Sequence, residues 1–183
     1  MKMNGTIAIE DTGQIIDIIT GEKTQCRFPM DPQPESREVV RMEDFPFMPG
    51  HIIGVKEQGT CFSVPMANAD RFLYRAEYER SRLNIKNTFF YSAAEMSEQD
   101  IRIFVEVKNV YWDLIKNVSY TEVLKNFPVS NHARLKSYFE KKWDSEHFFN
   151  PRFRWKNNPA VWVVDFELKK VIERKFRWQK NGQ

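Results

Sequence analysis

A chain of 183 residues with 42% hydrophobic content and 26 aromatic side chains has material for one sizeable core. No apolar run approaches the roughly 18 residues of a membrane span, no apolar signal core follows Met1-Lys2-Met3, and two cysteines, Cys26 and Cys61, are too few for a disulfide framework, so a reducing cytoplasm is the expectation. The net charge of +3 hides an asymmetry: residues 152–183 carry +6 and the rest −3, a pattern that suits either a nucleic-acid backbone or a solvated tail.

Thr6 to Ile9 is a short β run. Thr12 is the predicted N-cap of a helix whose isoleucines at 15, 16, 18 and 19 form one stripe, and Gly21 ends it. Thr24 to Phe28 is a second strand. Residues 29–50 form a loop with five prolines, and loops of that length are often functional. After the Pro49-Gly50 turn, strands are predicted at 51–56, 61–64 and 71–75. Residues 76–100 are polar and give no clear element. Ile101 to Val110 alternates better than any other stretch. Ser119 caps a short helix, Asn131 to Trp143 is another, and Ala160 to Leu168 is a buried strand. Short strands with few helices predict an α+β fold, a small mixed barrel with helices covering its ends.

No histidine or cysteine spacing matches a metal site, and there is no G-x-G-x-x-G, so neither metal nor cofactor is expected. Candidate chemistry gathers after Gly21. Lys23 is either a pocket base or anion binder, or a structural partner of Glu57 or Glu106. Thr24 donates to a base edge or ends a strand. Cys26 is a nucleophile only if its pKa is depressed, and otherwise an inert buried thiol. Arg27 holds a phosphate or carboxylate, or faces water. The stretch Phe148 to Lys156 has two readings: rings that stack bases while Arg152, Arg154 and Lys156 meet phosphates, or rings that cover a barrel end.

The order of these pieces resembles a known family. G-x-K-T-x-x-R (Gly21, Lys23, Thr24, Arg27) is followed by Pro32-Gln33-Pro34, by Pro49-Gly50 with Val55 and Glu57, by Tyr74-Arg75-Ala76 and Met96, by Arg102-Ile103 with Val105-Glu106-Val107, by Trp143-Asp144-Ser145, and by Asn158-Pro159 with Val161-Trp162-Val163 and Phe166-Glu167. Together they look like the ASCH domain of the bacteriophage and prophage type. The resemblance covers about residues 7–168 of a single domain 1–183, leaving 169–183 as a basic C-terminal extension.

The resemblance implies a PUA-like mixed β-barrel whose cleft is lined by the G-x-K-T segment, and RNA or modified nucleotides as partners. It implies a ligand set of Lys23, Thr24, Cys26, Arg27, Glu57 and Arg102. Some small members hydrolyse acetylated cytidine with a lysine, a threonine three residues later and a glutamate in a later helix. Those positions fall here on Lys23, Cys26 and, near the end of the Ser119 helix, Asn126. One of three is kept, so a non-catalytic binding module is expected. An amidohydrolase acting on a modified nucleoside such as N4-acetylcytidine, and a phage accessory protein binding a host protein, are the alternatives.

Overall fold

The computed structural model describes residues 2–35, 40–64, 69–81, 89–126 and 135–173. The chain runs through β1 (Gly5–Ile9), α1 (Thr12–Thr20), β2 (Gln25–Pro29), β3 (Ile52–Glu57), β4 (Gly59–Val64), β5 (Ala69–Tyr74), α2 (Arg75–Ser81), β6 (Ile103–Leu114), α3 (Tyr120–Asn126), α4 (Leu135–Glu146) and β7 (Ala160–Val171), with short 3-10 turns between. One mixed sheet has the order β1-β3-β6-β7-β2, with β1 parallel to β3 and the remaining pairs antiparallel. β4 and β5 form a separate antiparallel pair.

Alternation decides which residues meet. Ile7, Ile9, Cys26, Ile53, Val55, Ile103, Val105, Val107, Val164 and Phe166 come from all five strands of the large sheet, yet share one core with Ile15 and Ile18 of α1. The edge strands β1 and β2 both line one cleft, so the sheet curls toward the barrel expected from the sequence without closing. Trp162 lies in that core, whereas Val161 and Val163 point the other way. There they pack with Val123 of α3 and with Leu135, Phe139 and Trp143 of α4. The two faces of β7 thus hold the barrel interior and the helical cover together.

Phe45 and Phe47 of the Pro-rich loop are buried in the main core, with Phe45 5.2 Å from Trp162 between ring centroids. Gln33 ties that loop to β7, accepting from the Ala160 N–H at 2.7 Å. The described residues of the stretch 76–100 include α2 and two 3-10 turns, Ala93–Glu95 and Glu98–Asp100. These are elements too short to leave a periodic signal. The predicted helix start at 131–134 and residues 174–183 of the basic extension lie outside the described residues.

One local correction concerns α1. Asp11, not Thr12, is its N-cap: the backbone is extended there and the carboxylate accepts from the Gln14 N–H at 3.1 Å. The Asp11-Thr12-Gly13-Gln14 spacing carries that signal, but Thr12 was the more obvious hydroxyl. The C-terminus is as read: Gly21 sits at φ 78° and its N–H bonds to the Ile18 carbonyl. A methyl group at Gly21 meets nothing within 4 Å, so Gly21→Ala carries only the left-handed backbone penalty. It will lower stability by about 1 kcal/mol, measured as a shift in urea midpoint at unchanged slope.

Candidate ligand cleft at the barrel seam

The two edge strands of the large sheet, β1 and β2, are not paired with each other. Between them opens a cleft of about 490 Å³, within the size range of ligand sites. β1 contributes Ala8 and Ile9, the β1–α1 turn Glu10 and Asp11, and β2 with the turn before it Lys23 and Cys26 to Pro29. α3 contributes Asn126. α4 and the residue after it contribute Phe139, Lys142, Trp143, Glu146 and His147. The α4 set follows from helical spacing, since 139, 143 and 147 lie one turn apart on one stripe.

Lys23 is buried, 2% exposed. Its ammonium donates to the Asn126 backbone oxygen at 2.7 Å. The Asn126 side chain donates instead to Gln25 Oε1 at 2.6 Å and to the Glu122 carbonyl at 2.8 Å. Gln25 in turn donates to Asp165 at 2.8 Å. The three positions that the family pattern assigns to catalysis, Lys23, Cys26 and Asn126, therefore do line one cleft. Their chemistry is different from that pattern. Cys26 is a free, buried thiol. Burial pushes its pKa up further than the nearby Lys23 charge pulls it down, so it stays protonated.

Arg27 is held from one side only. Its Nη2 donates to Glu122 at 2.8 Å, and its side chain is 1% exposed. Nε and Nη1 are buried and have no partner among the described residues. Glu122 is the hub: it accepts from the Tyr111 hydroxyl at 2.6 Å and from the Ser119 hydroxyl at 2.6 Å and N–H at 2.8 Å. Ser119 accepts from the Glu122 N–H in return, closing a capping box at the start of α3.

Partial burial raises the Glu122 pKa, but the Ser119 and Tyr111 hydroxyls, the Ser119 N–H and the Arg27 charge overcome it and bring it to about 2 from 4.5. A carboxyl whose folded pKa is depressed adds stability above its unfolded pKa and loses it as pH falls through the folded one. The wild type will therefore lose about 2–3 kcal/mol between pH 4.5 and 2 through this group. Glu122→Gln will flatten that limb in urea titrations across the pH range.

Other predicted residues lie elsewhere. Thr24 acts through its backbone, donating to the Lys125 carbonyl and accepting from the Phe166 N–H, and does not line the cleft. Glu57 and Arg102 form a buried bidentate pair at 2.8 and 3.0 Å, with the guanidinium 3.9 Å from the centre of the Tyr74 ring and a further contact to Glu77. Glu57 thus has Arg102 as its partner where the sequence suggested Lys23, and neither residue lines the cleft. Glu106 is likewise taken, by Lys108 and Lys169. The stretch 148–156 divides: Phe153 and Trp155 are buried, while Phe148 and Phe149 are 60% and 95% exposed. Arg154 lies over the Phe148 ring at 5.4 Å, and Arg152 is 3.8 Å from Asp31. His147 was missed, because a lone histidine has no sequence signature until its stripe on α4 is known.

No family model and no curated protein matches the sequence. Among solved structures the chain is similar to a protein from Enterococcus faecalis V583 described by the family model DUF984, with TM-score 0.50 and 9% identity over 97% of this chain and 88% of that one. It is also similar to an ASCH domain from Lactobacillus crispatus JV V101, with TM-score 0.47 and 10% identity over 90% and 79%. At such identity the first likeness shows the fold alone, and the second adds no argument. The architecture is α+β, a five-stranded mixed sheet with short covering helices. Among the described residues no helix is long and apolar enough to cross a membrane.

Proposed function

We propose that the chain is an ASCH-type module that binds RNA or a modified nucleotide by seating one base in the seam cleft, without catalysing its hydrolysis. The observation that carries this reading is the Arg27 guanidinium, buried at the cleft with two nitrogens unpartnered. A buried donor left unpaired costs about 1–3 kcal/mol, a cost that an incoming acceptor removes. A base offers such acceptors in its plane.

The charges support the same occupant. Lys23, Arg27 and Lys142 face Glu10, Asp11 and Glu146, so the lining is balanced, and Phe139 and Trp143 add apolar surface. A balanced, partly aromatic cleft suits an uncharged heterocycle better than a phosphate. Phosphates would stay outside, against Arg152, Arg154 and Lys156, beside the exposed rings of Phe148 and Phe149. The phage or prophage type and a cytoplasmic location are parts of this proposal that rest on the motif order and on cysteine usage.

Calorimetric titration with a short single-stranded RNA and with cytidine tests the reading. The wild type should bind both. Lys23→Met should weaken both, while Arg152→Ala with Arg154→Ala should weaken RNA alone and flatten its salt dependence. A folded wild type that binds neither would overturn the proposal.

A further inference from the structure

The floor and the rim of the cleft are held differently. On the floor Lys23, Cys26 and Arg27 are buried. On the rim the side chains of Lys142, Asp11 and Glu146 are 24%, 36% and 37% exposed. The rim comes from two helices that belong to different cores. Ile15 and Ile18 anchor α1 in the barrel interior, whereas Leu135, Phe139 and Trp143 anchor α4 in the cover on the other face of β7.

Across the mouth the two helices meet through polar side chains. Asp11 Oδ2 accepts from the Lys142 ammonium, and Gln14 Nε2 donates to Glu146 at 2.8 Å. Lys142 also lies 3.8 Å from Glu146, one turn further along α4. A spacing of three on α1 and four on α4 places both ties side by side. Asp11 is fixed by its second oxygen, which accepts from the Gln14 N–H at 3.1 Å as the cap of α1. Lys142, Gln14 and Glu146 reach across on long, rotatable side chains at a wet surface. An ion pair there is weak, and salt screens it. All four residues line the same cleft as Cys26. Rotation of Lys142 and Glu146 toward water clears the mouth and leaves each helix in its own core.

We propose that Asp11, Gln14, Lys142 and Glu146 form a side-chain gate over the cleft, closed at low ionic strength and loosened by salt. Its opening precedes contact of any ligand with Lys23, Cys26 or Arg27, so the gate is independent of which ligand the cleft takes.

Cys26, a free and buried thiol, reports the opening without a ligand. Iodoacetamide alkylates the sulfur and releases iodide, and the mass of the peptide carrying Cys26 separates it from Cys61. Rates are normalised to free glutathione in the same buffer. Alkylation of Cys26 should be about fivefold faster in Lys142→Met than in the wild type, the change in open fraction that one exposed ion pair commands. Asp11→Asn, which removes the charge and keeps a capping side chain, should move the rate in the same direction, and Lys142→Arg should stay near the wild type. Potassium chloride at about 1 M should speed the wild type and leave Lys142→Met unchanged. The rate should be flat in low urea, since rotating side chains exposes little new surface. Equal rates in the wild type and Lys142→Met, or a wild-type rate unmoved by salt, overturn the gate. So does a rate that climbs steeply with urea in every variant, which would show that Cys26 is reached only by unfolding.

Discussion

Arg102→Ala will destabilise the protein by about 3–5 kcal/mol, read as a fall in the urea midpoint. Arg102 and Glu57 are 3% and 1% exposed and joined by two hydrogen bonds. Truncating the guanidinium strands the Glu57 carboxylate in the barrel wall and removes the cation from the Tyr74 face. The Glu77 carboxylate is exposed enough to turn to water. The cost therefore comes from an orphaned buried charge, not from the attraction itself. Removing both charges should then be milder than removing one: Glu57→Gln with Arg102→Met should recover at least half of what Arg102→Met alone loses. A loss under about 1 kcal/mol in Arg102→Ala would show the pair to be solvated and would restore a ligand role for it.

N4-acetylcytidine incubated with the protein will remain acetylated. Cleavage of the amide requires an activated nucleophile and a group that shuttles a proton to the leaving nitrogen. Cys26 is held protonated by burial. Asn126, at the position of the family glutamate, cannot exchange a proton, and its amide is committed to Gln25 and Glu122. The carboxylates lining the cleft are engaged, Glu10 accepting from Gln58 and the Ala93 N–H, Asp11 from Lys142 and Glu146 from Gln14, and two others that could substitute are engaged as well. Glu122, at a pKa of about 2, is too weak a base, and Glu57 is locked to Arg102. Loss of a general acid–base group lowers a rate by about 10²–10⁴-fold. Chromatography of the nucleoside over a day, with Lys23→Met alongside, decides the matter. Robust turnover abolished by that substitution would replace the binding reading with an amidohydrolase.

Local order was legible in the sequence, and tertiary meetings were not. The alternation of Ile103, Val105 and Val107 marks β6 because one face of that strand is core. Gly21 marks the end of α1 because a left-handed residue is needed there. Lys23, Cys26 and Arg27 were found because they follow one another on β2 and its approach. Tyr111 and His147 were not, since they lie 84 and 120 residues beyond Arg27 and no local pattern encodes that return. The pairing of Glu57 with Arg102 was hidden for the same reason. Two charged residues read separately are ligand candidates, and read together they are each other's partner.

The seam has a consequence for solubility. Among the described residues β1 and β2 each keep one side without a strand neighbour in the sheet, and such edges are templates on which a second chain can add a strand. Here α4 lies across the opening, tied to the start of α1 by the Lys142–Asp11 ion pair and by Gln14 donating to Glu146 at 2.8 Å. The same few polar ties that shape the mouth of the cleft hold α4 over these edges. Lys142→Glu places like charges where the tie was, and heating that variant should produce fibrillar or amorphous aggregate at temperatures where the wild type stays monodisperse.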